Sequence, residues 1–239
     1  MNLNRYTAAL FDTDTMHVFD HFTADQQDTT AVDTITDSGT VLMGDNAGGI
    51  VTLTPSDGSV VDNDEAYLAT PNENWIFGTN RHIYGKAKIK FTEVTTNKLN
   101  WAFGFQNAVG ANSLVDDGAG PKVTGSTLAI YKVDGGQVFR CVSSCNGTST
   151  DTISNKTASA ATWYVLEIIC GDWDGTSMQV NYRVDGEYLK DTNGYVIKHT
   201  VAIASATEMQ MWLGVKLGAA TNNDTLLCDY WYGASTQAP

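Results

Sequence analysis

Residues 163–232 constrain the fold of this chain most. Four apolar or alternating runs follow one another there: 163–170, led by Trp163, then 178–184, 209–217 and 225–232. Short runs of this kind separated by turn residues are the pattern of β-strands rather than of helices. The second run ends in Val184-Asp185-Gly186. Asp-Gly suits a two-residue hairpin loop because both positions must take positive φ. The order of these features predicts an antiparallel β-sandwich, and it brings no active site with it.

Upstream the same reading continues. Ile50-Val51-Thr52-Leu53-Thr54 alternates and is stopped by Pro55-Ser56-Asp57-Gly58. Tyr67-Leu68-Ala69-Thr70, residues 84–94 and Leu99–Gln106 read as further strands. In the last of these Trp101, Phe103 and Phe105 share one face, and Ala102, Gly104 and Gln106 the other. Small residues opposite an aromatic face predict a strand whose second face meets another layer or a ligand. Residues 107–125 form a long polar loop, a length that is often functional in compact domains. Residues 127–133 and 137–142 flank the hairpin signal Asp134-Gly135-Gly136, and 146–162 read as a Ser/Thr/Asn-rich connection. No amphipathic helix is present; 202–211 reads as a turn entering a strand.

Residues 1–32 are an acidic lead studded with Tyr6, Leu10, Phe11, Val18, Phe19 and Phe22. So many large apolar groups predict an extended arm that packs on its own domain or on a neighbouring subunit. The expected organisation is therefore an arm over 1–32 and one sandwich over 33–239. At 239 residues a single all-β domain is ordinary.

A net charge of −13 and a pI of about 4.4 argue against nucleic acid as a partner, because the surface repels phosphate. Lys86, Lys88 and Lys90 alternate with Ala87, Ile89 and Phe91. That is a strand with one wet face, or else a stripe that binds an anion or a partner. No apolar run is long enough to span a membrane. No signal-peptide core follows Met1-Asn2-Leu3-Asn4-Arg5, so the chain is expected to stay in the cytosol or to leave by a route other than secretion. A disulfide between Cys141 and Cys145 would need the turn around them to fold back, and a reducing cytosol opposes it. Cys170 and Cys228 lie in apolar strands and read as core. No Cys/His cluster suits zinc.

The runs Trp163-Tyr164-Val165-Leu166-Glu167-Ile168, Val180-Asn181-Tyr182-Arg183-Val184-Asp185-Gly186, Leu213-Gly214-Val215 and Leu226-Leu227-Cys228-Asp229-Tyr230-Trp231 resemble the concanavalin A-like lectin/glucanase superfamily, laminin-G-like modules included. The resemblance covers roughly residues 35–233. It implies a jelly roll of two curved antiparallel sheets, one concave and one convex. More narrowly, Phe19-Asp20-His21-Phe22, the run over 45–53 with Gly48-Gly49, and Tyr67-Leu68-Ala69-Thr70 look like virion-associated proteins of tailed bacteriophages. That likeness implies a capsid decoration, or cement, subunit of the virion. It would bind the major capsid protein or other virion proteins, as a homo-oligomer such as a trimer, through Tyr6, Leu10, Phe11, Val18, Phe19 and Phe22 of the arm.

Other chemistries weigh less. Retaining glycosidases need two carboxyl groups about 5–5.5 Å apart. The strand pattern that the family uses, Glu-x-Asp-x-x-Glu, is absent, although Glu93 could lie near the concave face. A lyase built on Arg81-His82 with Tyr84, or on Arg183 with Tyr182, is opposed by the alternation that sends neighbours to opposite faces. Neither a nucleophile elbow nor a phosphate-binding loop appears. Calcium is the most plausible ion, with Asp172, Asp174 and Asp229 as candidate ligands beside the Asp62-Asn63-Asp64-Glu65 run, although Asp and Asn are also plain turn formers. Sugar binding would use an aromatic platform. Trp75, Trp173, Trp212 and Trp231 are candidates, with Trp173 foremost because it sits in an acidic turn. The sequence thus predicts an all-β, non-enzymatic virion protein without a bound cofactor. A carbohydrate-binding module is the alternative, and a polysaccharide-active enzyme comes third.

Overall fold

The structure is a computed structural model; it describes residues 15–23, 31–44, 49–94, 98–172 and 174–236. Tyr6, Leu10, Phe11 and Trp173 lie outside them. Every regular element among the described residues is a strand. In chain order the strands are β1 Thr15–Asp20, β2 Asp33–Thr36, β3 Thr40–Gly44, β4 Ile50–Thr54, β5 Glu65–Ala69, β6 Ile83–Phe91, β7 Leu99–Gln106, β8 Leu114–Val115 and β9 Gly120–Pro121. They continue with β10 Thr127–Lys132, β11 Val138–Cys145, β12 Thr148–Thr157, β13 Tyr164–Gly171, β14 Ser177–Val184, β15 Glu187–Tyr188, β16 Lys198–Ala202, β17 Gln210–Leu217 and β18 Leu226–Thr236.

Two antiparallel sheets make a jelly-roll sandwich. Sheet A runs β15-β14-β13-β6-β18-β4-β3, with β1 added on β18 and β16 on β14. Sheet B runs β12-β11-β10-β7-β17-β5-β2. Alternation decides what lies between them. In β6 the residues Ile83, Gly85, Ala87, Ile89 and Phe91 face in, and Tyr84, Lys86, Lys88 and Lys90 face out. Trp101, Phe103 and Phe105 of β7 enter the same core from sheet B. Full burial of a side chain of this size contributes about 1.5–3 kcal/mol. Asp185 and Gly186 both take positive φ, 57° and 80°, and close the β14–β15 hairpin as their sequence requires.

Strand β18 departs from simple alternation. Its register with β6 shifts between Cys228 and Tyr230. This bulge lets Cys228 and Trp231, three residues apart, both enter the core, and it turns Tyr230 and Tyr232 outward. Thr15 to Asp20 pair with Thr236 to Trp231 along the second half of the same strand. Part of the sequence read as an arm is therefore a strand of the sandwich itself.

Three readings are corrected. The connection over 146–162 contains the edge strand β12. The turn around Cys141 and Cys145 does not fold back: both lie on β11, four residues or roughly 13 Å apart, too far for a disulfide. Phe22 is 2% exposed and packs against Trp231 in the chain's own core, so it is not available to a neighbouring subunit.

Candidate functional site

The outer face of sheet B is covered. Residues 107–125 form a strap across β5, β17, β7 and β10, with β8 and β9 paired in it. Beneath it lies a second apolar cluster that includes Tyr67, Ala102, Ala129, Tyr131 and Trp212, joined by Leu114 of the strap. The small face of β7 thus meets a second layer, one of the two outcomes that its sequence predicted. The strap is held by charge as well. The Lys216 ammonium lies 3.0 Å from Glu65, 2.5 Å from the Asn112 side-chain oxygen and 3.1 Å from the Leu114 carbonyl, and it also pairs with Asp116. Tyr67 donates to Glu65 at 2.6 Å and accepts from the Leu114 N–H at 3.1 Å. Burial, with Glu65 alongside, holds the Tyr67 hydroxyl far above its ordinary pKa.

Both Glu65 and Asp116 are thus ion-paired to Lys216 on that face. Glu93 does not lie on this face. It is buried between the sheets, 2.8 Å from Lys132, and it also accepts the Lys98 and Leu99 N–H groups. The tryptophan platform is corrected likewise: Trp75, Trp212 and Trp231 are fully buried.

At one edge of the sandwich, His199 of β16 bridges the two sheets. It is 3.0 Å from Ser143 Oγ through Nδ1 and 3.0 Å from Thr152 Oγ1 through Nε2, with the Tyr182 hydroxyl 3.2 Å from Nδ1. Burial lowers its pKa to about 4, and the Asp151 carboxylate opposes that shift. An open cleft of about 150 Å³ beside it is lined by side chains such as Ser143, Cys145, Thr150 and Thr200. Ser143 is itself buried, and its histidine leans on a threonine rather than a carboxylate, so this is not a nucleophilic triad.

The outer face of sheet A carries half-buried and exposed side chains. Consecutive strands place six residues directly opposite one another across it: Phe19, Tyr232, Lys86, Glu167, Arg183 and Tyr188. At about 4.8 Å per strand the row extends roughly 24 Å. Phe19 is 53% exposed, and its ring lies 6.2 Å from that of Tyr232, which lies 5.9 Å from Tyr84. His21 joins the group, 4.6 Å from Phe19 and 5.7 Å from Tyr230. Tyr84 donates to Glu167 at 2.5 Å; burial, then that bond, pushes its pKa well up. The Arg183 guanidinium stands 4.1 Å over the Tyr188 ring and donates to its hydroxyl at 2.7 Å. The Tyr232 hydroxyl and Arg183 Nε are buried and have no hydrogen-bond partner among the described residues. Of the pairs weighed for a lyase, Tyr182 points into the core while Arg183 points out, as the alternation requires.

Two of the candidate cation ligands, Asp174 and Asp229, have partners of their own. Asp174 accepts the Thr176 and Ser177 N–H groups and both their hydroxyls, and these bonds, the Thr176 N–H foremost, hold its carboxyl far below the usual range. Asp229 pairs with Lys88 at 2.6 Å. Among the described residues no three His, Cys, Asp or Glu side chains gather as a metal site would need, so the calcium expectation finds no ligand set to fit.

Solved structures of similar shape define the fold. An endo-1,3-β-glucanase from Streptomyces sioyaensis superposes with a TM-score of 0.61 at 15% identity, over 95% of this chain and 98% of that one. The potassium-bound carbohydrate recognition domain of Emp46p gives 0.59 at 12% identity, over 88% and 91%. Lectin I of Ulex europaeus, in complex with a methyl fucoside, gives 0.55 at 13% identity, over 94% and 99%. The chain has the concanavalin A-like jelly-roll fold. No protein-family model matches it, and no curated protein matches its sequence.

Proposed function

We infer that this chain is a carbohydrate-binding domain without catalytic activity of its own. The observation that carries this reading is the row on sheet A. Aromatic rings stand at its two ends with charged groups between them, a composition that stacks on sugar rings and holds their hydroxyls. The strapped face of sheet B supports the non-catalytic half, because Glu65 and Asp116 there pair with Lys216 and Asp151 with Arg140. Lectins and a glucanase among the structures of the same shape agree with a sugar ligand.

Adhesion within a virion is the second reading. It now rests on Phe19, the one described arm aromatic that is exposed, since Phe22 belongs to the core.

Affinity electrophoresis through gels cast with neutral and acidic polysaccharides tests the first reading. Retardation by at least one polymer is expected, lost in Tyr232→Ala, with no reducing ends or unsaturated products released. No retardation by any polymer overturns it.

A further inference from the structure

We propose that the outer face of sheet A selects an acidic glycan, one whose carboxylate- or sulfate-bearing rings alternate with neutral rings, and that Lys86 and Arg183 select for its charge. This rests on the carbohydrate reading above and adds the ligand class.

The chain is poor in cations, with 14 Lys and Arg against 27 Asp and Glu. Yet Lys86, Lys88, Lys90, Arg183 and Lys198 share this one face, as the registers of β6, β13, β14 and β16 place them. Lys88 and Lys90 have partners on this face, and Arg183 stacks on Tyr188. Lys88 is paired with Asp229, and Lys88 and Lys90 lie 5.2 and 5.0 Å from the centre of the Trp163 ring. Lys86 and Arg183 make no ion pair among the described residues. They stand on either side of Glu167, two strands or roughly 10 Å apart.

The order across the face is therefore cation, carboxylate, cation. An acid group on every ring of a bound chain would set one of them against Glu167. An acid on alternate rings meets Lys86 and Arg183, while Glu167 accepts hydroxyl hydrogens from the neutral ring between. Tyr232 and Tyr188 stand at the two ends of this trio, beside the positions of the flanking sugars. Duplex nucleic acid fits poorly: it carries a charge about every 1.7 Å along its axis, against the net negative charge of the whole chain. Charges beyond roughly 8 Å are screened at physiological salt, so the local cations govern contact with a sparsely charged ligand.

The test is titration calorimetry of the whole chain with three probes: hyaluronan oligosaccharides (acid on alternate rings), oligogalacturonate (acid on every ring) and a neutral cello-oligosaccharide. The hyaluronan probe is expected to bind most tightly, and Lys86→Gln and Arg183→Gln each to weaken it roughly tenfold, an amount fitting one charged contact, and by more than they weaken the neutral probe. Should Arg183→Gln not fold, Lys86→Gln alone decides. Equal affinity for the hyaluronan and neutral probes, tightest binding of oligogalacturonate, or hyaluronan affinity unmoved in Lys86→Gln, overturns the ligand class and leaves the carbohydrate reading standing. Failure of all three probes to bind overturns the ligand class, and the gels with other polysaccharides then decide the carbohydrate reading separately.

Discussion

Lys216 and Glu65 face each other across β17 and β5 with 3.0 Å between ammonium and carboxylate, both buried under the strap. Taking two charges out of water is costly, and the pair persists because Asn112, Asp116 and the Leu114 carbonyl complete the lysine's bonds. Removing one partner leaves the other charge buried and uncompensated. Lys216→Met should cost about 3–5 kcal/mol of unfolding free energy in urea. The double variant Lys216→Met/Glu65→Leu should recover most of that loss. A single variant within about 1 kcal/mol of the wild type would show that the strap opens to water and that the pair is not buried in solution.

Phe22 and Phe19 separate the part of the N-terminal region that builds the sandwich from the part that is free. Phe22→Ala should cost about 3–5 kcal/mol, as for a core phenylalanine. Phe19→Ala should change stability by no more than about 0.5 kcal/mol. Denaturation of the two variants checks both values. An inverted order would place Phe22 outside the core.

Much of the fold was legible because one-sided strands write their burial into the sequence. Leu99–Gln106 and the runs from 163 onward show it, and the Asp185-Gly186 turn fixed a hairpin. Strand β12, with the sequence Thr-Ser-Thr-Asp-Thr-Ile-Ser-Asn-Lys-Thr, did not show it. It is an edge strand wet on nearly every side chain, so no alternation exists to be read. The candidate site was half legible. Tyr84 shares its parity with Lys86, Lys88 and Lys90, so one side of β6 could be assigned from spacing alone. Which strands stand beside β6, and hence that Tyr232, Glu167 and Arg183 complete the row, is a matter of register between segments up to about 150 residues apart. The bulge at Asp229 hid the outward turn of Tyr230 and Tyr232 as well.

Gly214 is small because two rings lie over it. A Cβ there would come within 2.3 Å of Tyr67 Cδ1 and 2.6 Å of Trp212 Cζ3, themselves packed at a ring separation of 5.8 Å beneath the strap. Gly214→Ala should therefore destabilise the fold by about 1–3 kcal/mol through overpacking. The rings can yield only toward the strap, so limited proteolysis should cut within residues 107–125 faster than in the wild type. Unchanged proteolysis together with unchanged stability would show that the rings have room to move.

His199 makes stability depend on pH. Its folded pKa of about 4 lies below the ordinary 6.5, because burial against Ser143, Thr152 and Tyr182 disfavours the charged ring more than nearby Asp151 favours it. Between these values the unfolded chain holds a proton that the folded chain does not. Stability is therefore fully present above pH 6.5 and is lost as pH falls toward 4, by about 3 kcal/mol in all. His199→Gln keeps an uncharged hydrogen-bonding side chain at this position. It should be less stable than the wild type at pH 7, through imperfect bonding, but should lose less on acidification. Urea unfolding at pH 7, 5.5 and 4.5 measures the difference. Parallel pH profiles for the two proteins would mean that His199 titrates alike in the folded and unfolded states.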